Sequence, residues 1–282
     1  MGNKRLKFLA FLCFFGLSSC DKGDLRGIFV SYEEVNDRFE QSMTWNHLNP
    51  YKKILLSTNN YEIFAMGDCQ IGGVENLNIF FKDAVNSDAK AIVMVGDLTS
   101  GKAKDYSVFQ DNLINAGSVE VFPLAGNHDL YFNGWKDFYS RFGSSTYYFT
   151  VRTPTAEDLF ICLDTASGTL GSKQINWLKN LLENERRNYR HCLVFTHNNF
   201  FRSWHKPSTN PLVEELYILM ELFLVNNVEM IITGHDHSKS IEKLGNTLYI
   251  VMDALLDGFK DAGYLKILIK GNDNIGYEFV NL

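Results

Sequence analysis

Five strand-like runs, at residues 61–66, 91–95, 119–124, 192–195 and 229–232, each stop at a loop of small and polar residues. The loops read Gly67-Asp68-Cys69-Gln70, Gly96-Asp97-Leu98-Thr99, Gly126-Asn127-His128-Asp129, Thr196-His197-Asn198-Asn199 and Thr233-Gly234-His235-Asp236-His237. Helix-patterned stretches separate the first three runs, at 74–86 (Leu77, Phe80, Phe81, Ala84 and Val85 at helical spacing) and at 106–116. Strand, polar loop and helix in succession imply parallel strands joined by crossover helices, with the loops gathered at the strands' C-terminal ends. The spacing further predicts a helix from Gly134, strands at 147–151 and 159–163, and a helix at 173–185 with Ile175, Leu178, Leu181 and Leu182 on one side. A helix over 211–226, with Pro211 in its first turn, precedes the fifth run. Strands at 240–244, 247–251, 264–269 and 275–280 finish the chain, the first two joined at Gly245-Asn246.

The 282 residues, 45% hydrophobic, suffice for one large domain or two small ones. No solenoid or propeller period recurs. The formal charge of −6 argues against a broad nucleic-acid-binding face, which needs a basic stripe to neutralise phosphates, so no nucleic-acid partner is expected.

The first residues read as a processing signal. Lys4, Arg5 and Lys7 precede an apolar stretch at 8–17 that is too short to span a bilayer. Leu17-Ser18-Ser19-Cys20 resembles a bacterial lipobox, which implies that residues 1–19 are removed and Cys20 is lipidated; the alternative is an ordinary signal peptide with a chance cysteine. Removal takes away three positive charges and no negative ones, so the mature chain carries −9. Several acyl chains on one residue anchor stably where a single chain would not. The expected location is the bacterial cell envelope, outside the cytoplasm, periplasmic or surface-facing. Asp21 after Cys20 resembles an inner-membrane retention pattern. Residues 20–58 then form a tether and an N-terminal extension, helical at 32–43 and packed on the domain. Cys69, Cys162 and Cys192 remain beyond the signal; the last two lie in strand-like runs and read as buried small hydrophobes, a disulfide between them being the alternative.

Each loop taken singly has an ordinary reading, since Gly, Asp and Asn are turn residues and a lone histidine is more often structural. Jointly they hold four of the seven histidines together with Asp68, Gln70, Asp97 and Asn127. His235 and His237, two apart in an extended segment, would point to one side and serve one metal or two neighbouring ones.

The order of these loops resembles the calcineurin-like metallophosphoesterase superfamily, whose motifs are Asp-x-His, Gly-Asp, Gly-Asn-His-Asp/Glu, a lone His and Gly-His-x-His. Gly126-Asn127-His128-Asp129 and Gly234-His235-Asp236-His237 match in full, and the resemblance spans about residues 60–280. It implies an α/β fold, a four-layer α/β/β/α sandwich of two mixed sheets flanked by helices, occupying residues 59–282. It further implies hydrolysis of phosphate esters at two divalent metal ions, Mn, Fe or Zn, through a deprotonated bridging water. Asp97 would bridge the two ions, Asp68 and His237 would hold the first, and Asn127, His197 and His235 the second. His128 would face the leaving group. Asp129 would orient His128 or, equally, stabilise the turn.

The sequence departs from the pattern at Gln70, where the motif has histidine. A neutral amide oxygen is a poorer ligand than imidazole for such metals. Gln70 would ligate weakly, contact a metal-bound water, or leave the first site depleted. Leu98-Thr99-Ser100-Gly101 follows Asp97, which matches neither the phosphoprotein phosphatase nor the purple acid phosphatase branch. Arg202, His205 and Lys206, after His197, would hold a second phosphate or remain solvated charges; Trp204 would cover a sugar or base, or pack. Two rival readings are a phosphodiesterase or nuclease, and a membrane-anchored binding protein that has lost catalysis.

Overall fold

The computed structural model describes residues 31–201, 213–271 and 274–282. Two β-sheets lie face to face. The larger runs β1 (Lys53–Leu55), β5 (Tyr147–Arg152), β6 (Glu157–Leu163), β7 (Cys192–Thr196), β8 (Met230–Thr233), β10 (Thr247–Val251) and β9 (Ser240–Leu244). The smaller runs β12 (Asn274–Asn281), β11 (Gly263–Lys270), β2 (Tyr61–Met66), β3 (Ala91–Val95) and β4 (Glu120–Leu124). Both are mixed: β2, β3 and β4 are parallel, as are β6, β7, β8 and β10, while β11 runs antiparallel to β2, and β5 to β6.

Alternation along the strands divides the core. Ile63 and Ala65 of β2 face the other sheet, whereas Phe64 and Met66 face outward. Between the sheets Phe122 of β4 stacks on Phe149 of β5, ring centroids 3.7 Å apart. Outside the smaller sheet lie α2 (Glu75–Asn86), α3 (Ala103–Asn112) and α4 (Trp135–Phe142), which bury Phe80, Phe81, Tyr106, Phe109, Trp135 and Phe138. Outside the larger sheet lie α5 (Gly171–Glu185) and the described helix α6 (Val213–Val225), which bury Leu178, Leu182, Leu219 and Phe223. The result is the four-layer α/β/β/α sandwich. Pro123 fits within β4 because that strand is the edge of its sheet, where a missing N–H disrupts no ladder.

Several boundaries differ from the periodicity. The stretch expected as one helix over 106–116 is α3 from Ala103 followed by a single 3₁₀ turn, Leu113–Ala116, that ends at Gly117 with φ +61. Val85, counted on the apolar side of α2, is exposed. The N-terminal extension is part of the sandwich. Its helix, α1 (Val35–Leu48), buries Arg38 against Asp164 in a two-pronged ion pair at 2.8 and 3.2 Å. Its residues 53–55 form β1, which pairs in parallel with β5. Cys69, Cys162 and Cys192 are buried free thiols, so no disulfide joins the last two. Cys20, Arg202, Trp204, His205, Lys206 and Pro211 lie outside the described residues. Among the described residues no helix is long and apolar enough to cross a membrane.

Candidate metal centre

The five loops follow β2, β3 and β4 of one sheet and β7 and β8 of the other, and the sandwich brings their C-terminal ends together. Close approach is built in. A Cβ on Gly126 would overlap Asp97, and one on Gly234 would overlap the Asp68 carboxylate. Gly126 is therefore needed for contact with Asp97. It is not among the glycines of positive φ, so the sharp turn at the end of β4 does not depend on its left-handed freedom.

The backbone is strained where the candidate ligands sit. Asp68, Gln70, Asp97, His235 and His237 all have positive φ, between 40° and 71°. Such conformations cost of order 1 kcal/mol or more each in non-glycine residues and gather where function requires them. They also correct the expectation for His235 and His237. The segment is turned, not extended, and the two rings serve opposite halves of the site.

One half centres on His197, which is fully buried. Its Nδ1 lies 2.9 Å from the Val95 carbonyl oxygen, which can only accept, so the proton is on Nδ1. In the neutral ring Nε2 then offers a lone pair, 3.1 Å from Asn127 Oδ1, 3.1 Å from His235 Nδ1 and 3.4 Å from Asp97 Oδ1. Asn127 donates its amide nitrogen to the Tyr131 hydroxyl at 3.3 Å, which turns its oxygen into the cluster. Acceptors converging on one point call for a cation. The same demand shows in the imidazole itself: burial would lower the His197 pKa, but the Asp97 and Asp68 carboxylates raise it to about 10.

The other half joins Asp68, Asp97, His237 and Gln70. His237 Nε2 lies 3.2 Å from Asp68 Oδ1. That oxygen is buried and accepts no hydrogen bond, while Asp68 Oδ2 takes the backbone N–H of His235 at 2.8 Å. Against the opposing effect of burial, Asp68 raises the His237 pKa. The Gln70 amide nitrogen is 3.4 Å from His237 Nε2 and 3.5 Å from Asp97 Oδ2.

Two ligand trios result, Asp97 with His197 and His235, and Asp68 with Asp97 and His237, the atoms of each within 4.8 Å of one another. Asp97 belongs to both. Burial would raise its carboxyl pKa, but His197 and His128 hold it well below the usual range, so it stays ionised. Carboxylate, amide and imidazole donors around an orphaned buried oxygen fit borderline divalent ions.

His128 stands beside both trios. Its backbone N–H donates to Asp97 Oδ1 at 2.7 Å, its Nε2 is 3.7 Å from Asp97 Oδ2, and its side chain is 17% exposed. Asp129 does not orient it. A 3₁₀ turn that starts at His128 and is broken by a kink at Tyr131 and Phe132 carries the Asp129 carboxylate inward, where it accepts from Gly126 N, Leu98 N, Thr99 N and Thr99 Oγ1 at 2.9–3.1 Å. Burial and the neighbouring Asp97 charge push its carboxyl up to about 7, against these four donors. Asp129 is a clamp between the loops after β3 and β4, not a catalytic group. Asp129→Ala is expected to lower stability by about 3 kcal/mol, from buried donors left unpaired, as a urea unfolding curve would read.

Two contacts that sequence periodicity does not mark complete the site. Tyr131 holds Asn127 and lies 4.8 Å from the His128 ring, and Asn199 Nδ2 donates to Asp236 Oδ2 at 2.9 Å, tying the loops of His197 and His235.

Residues 61–239 match the family model of the calcineurin-like phosphoesterases. No curated protein sequence matches. Among solved structures the fold is similar to GAP50, the anchor in the inner membrane complex of Plasmodium (TM-score 0.59, 15% identity, covering 79% of this chain and 85% of that one). It is similar to a dimetal phosphatase from Danio rerio (0.59, 13%, covering 78% and 98%). It also resembles a purple acid phosphatase from yellow lupin, Lupinus luteus, seeds (0.63, 12%, covering 80% and 52%).

Proposed function

The chain belongs to the calcineurin-like phosphoesterase family, and from that premise we propose that it hydrolyses phosphate esters at a site where Asp97 would help to hold two divalent ions. One observation carries this reading: two candidate ligand trios share a single buried carboxylate. Asp68, Asp97 and His237, with Gln70 beside them, would hold one divalent ion, and Asp97, Asn127, His197 and His235 the other. Divalent ions held there supply Lewis acidity that activates water and neutralises charge on the phosphoryl oxygens. The chain's own contribution is geometric and protonic. Val95 and Tyr131 fix the orientation of His197 and Asn127, and Asp68 accepts the N–H of His235. His128, partly exposed beside Asp97, can deliver a proton to the departing oxygen.

The test is the purified chain supplied with Mn, p-nitrophenyl phosphate, its bis ester and single-stranded DNA, with bound metal quantified. Hydrolysis of either small ester with metal bound is expected. A chain that binds no metal and cleaves none of the three overturns the reading.

Gln70 favours a second reading, a membrane-anchored binding protein with weakened catalysis, and GAP50 is a neighbour described as an anchor. Gln70→His separates the two. Imidazole in place of the amide is expected to tighten the first ion roughly tenfold, equivalent to about 1.4 kcal/mol, in a Mn titration. If activity rises with occupancy, the natural site is an enzyme's site limited by one weak ligand. If occupancy rises and no ester is cleaved, the binding reading stands.

Lipidation of Cys20 and a place in the bacterial cell envelope, outside the cytoplasm, belong to the same proposal, supported by the Leu17-Ser18-Ser19-Cys20 signal. Arg202, His205 and Lys206, in the segment after β7, would add a second anion contact.

A further inference from the structure

The N-terminal chain joins the sandwich at the rim of the metal site. Ser31 Oγ donates to the Leu130 carbonyl at 3.0 Å and accepts from Trp135 N–H at 2.8 Å, and Tyr32 N–H donates to Asn133 Oδ1 at 3.4 Å. Residues 130–135 follow His128 after the single residue Asp129. On the same rim Phe132 is 50% exposed at φ +56, a conformation bulky side chains rarely adopt, and Tyr32 is 87% exposed. Lys102 Nζ lies 5.5 Å from the Phe132 ring centroid. Exposed aromatic rings beside a lysine suit the boundary of a bilayer, where a ring can enter and an ammonium can reach the head groups.

The length of the leash decides which face meets the membrane. Ten residues, 21–30, separate Cys20 from Ser31. Ten residues reach at most about 40 Å, the limit set by the covalent length of the chain. A fold of this size has a radius of gyration of about 19 Å, hence a diameter of roughly 50 Å, above that reach. The face carrying Ser31 therefore turns toward the anchor, and the opposite end of the strands turns away.

We infer that the rim of Tyr32, Lys102 and Phe132 docks on the phospholipid surface that holds Cys20, so that the mouth of the metal site faces lipid head-group phosphates. The inference rests on the lipidation proposed above and not on catalysis. Cys69, Cys162 and Cys192 are buried and a lipidated Cys20 is blocked, so a thiol dye reports on an introduced cysteine alone. Full-length lipidated chain carrying Phe132→Cys, or Ile114→Cys at the opposite end of β4, is labelled with an environment-sensitive dye. It is then reconstituted into phosphatidylethanolamine–phosphatidylglycerol vesicles. Severalfold brighter emission is expected at position 132 relative to the same label in an unlipidated chain that starts at Asp21 and so carries neither Cys13 nor Cys20, with no change at position 114. An equal response at the two positions, no response at 132, or a mass showing unacylated Cys20 overturns the inference. p-Nitrophenyl phosphate turnover in the same samples reads the phosphoesterase assignment separately.

Discussion

Asp97→Ala is expected to lose both metal ions and roughly a thousandfold or more of phosphoester turnover, a cost on the order of 4 kcal/mol in the transition state. No other side chain belongs to both ligand trios. Its carboxylate is also the charge that steadies its neighbours, raising His197 and approaching His128 Nε2 at 3.7 Å. Alanine removes that charge from beside both imidazoles. Asp97→Asn keeps one oxygen donor without the charge, so a partial loss of metal is expected there. Metal content by mass spectrometry, with turnover of p-nitrophenyl phosphate and a circular dichroism spectrum to confirm folding, checks the result. An alanine variant that retains two ions per chain refutes the bridging role, and one that retains one ion shows that Asp97 serves a single site.

The sandwich and the convergence of the candidate ligands were legible because both are written locally. A strand buried on both faces is a short apolar run, such as Ala91–Val95, and a crossover helix shows its face in a spacing such as Leu77, Phe80, Phe81 and Ala84. Chemistry at strand ends then stands out as polar residues where each run stops. What stayed hidden depends on direction or on distance along the chain. Asp129 adjoins His128, yet the 3₁₀ turn sends its carboxylate the other way, onto Leu98 and Thr99. His235 and His237 read as an extended pair, but both have positive φ; their division between the two trios is the one the resemblance implies. Arg38 meets Asp164 across 126 residues, and β1 is three residues long, too short for a period of two to declare itself.

The strained ligands and the close-packed layers belong together. Five ligand candidates at positive φ would drift to easier conformations in a loose loop. Here they are held by neighbours that leave little room, Gly126 against Asp97 and Gly234 against Asp68, and by Asp129 beneath. Cations would repay part of that strain, so bound metal is expected to raise thermal stability in step with its affinity.

His128→Gln is expected to leave both ions bound and to slow turnover by an amount that depends on the leaving group. The ring belongs to neither ligand trio, so its loss removes no donor from the cluster. Its backbone N–H, which donates to Asp97 Oδ1, survives the substitution. A proton delivered to the departing oxygen matters most when that oxygen is a poor leaving group. Loss of a positioned acid costs about a hundredfold to ten-thousandfold in such reactions. The p-nitrophenolate ion departs without a proton, so its ester is expected to lose far less than an alkyl ester such as glycerol phosphate. Parallel kcat measurements on the two esters give the decisive ratio. Equal losses would assign His128 to the phosphoryl oxygens, where the charge is common to both substrates. Loss of metal would make it a ligand after all, against the 17% exposure and the 3.7 Å approach that place it beside the cluster.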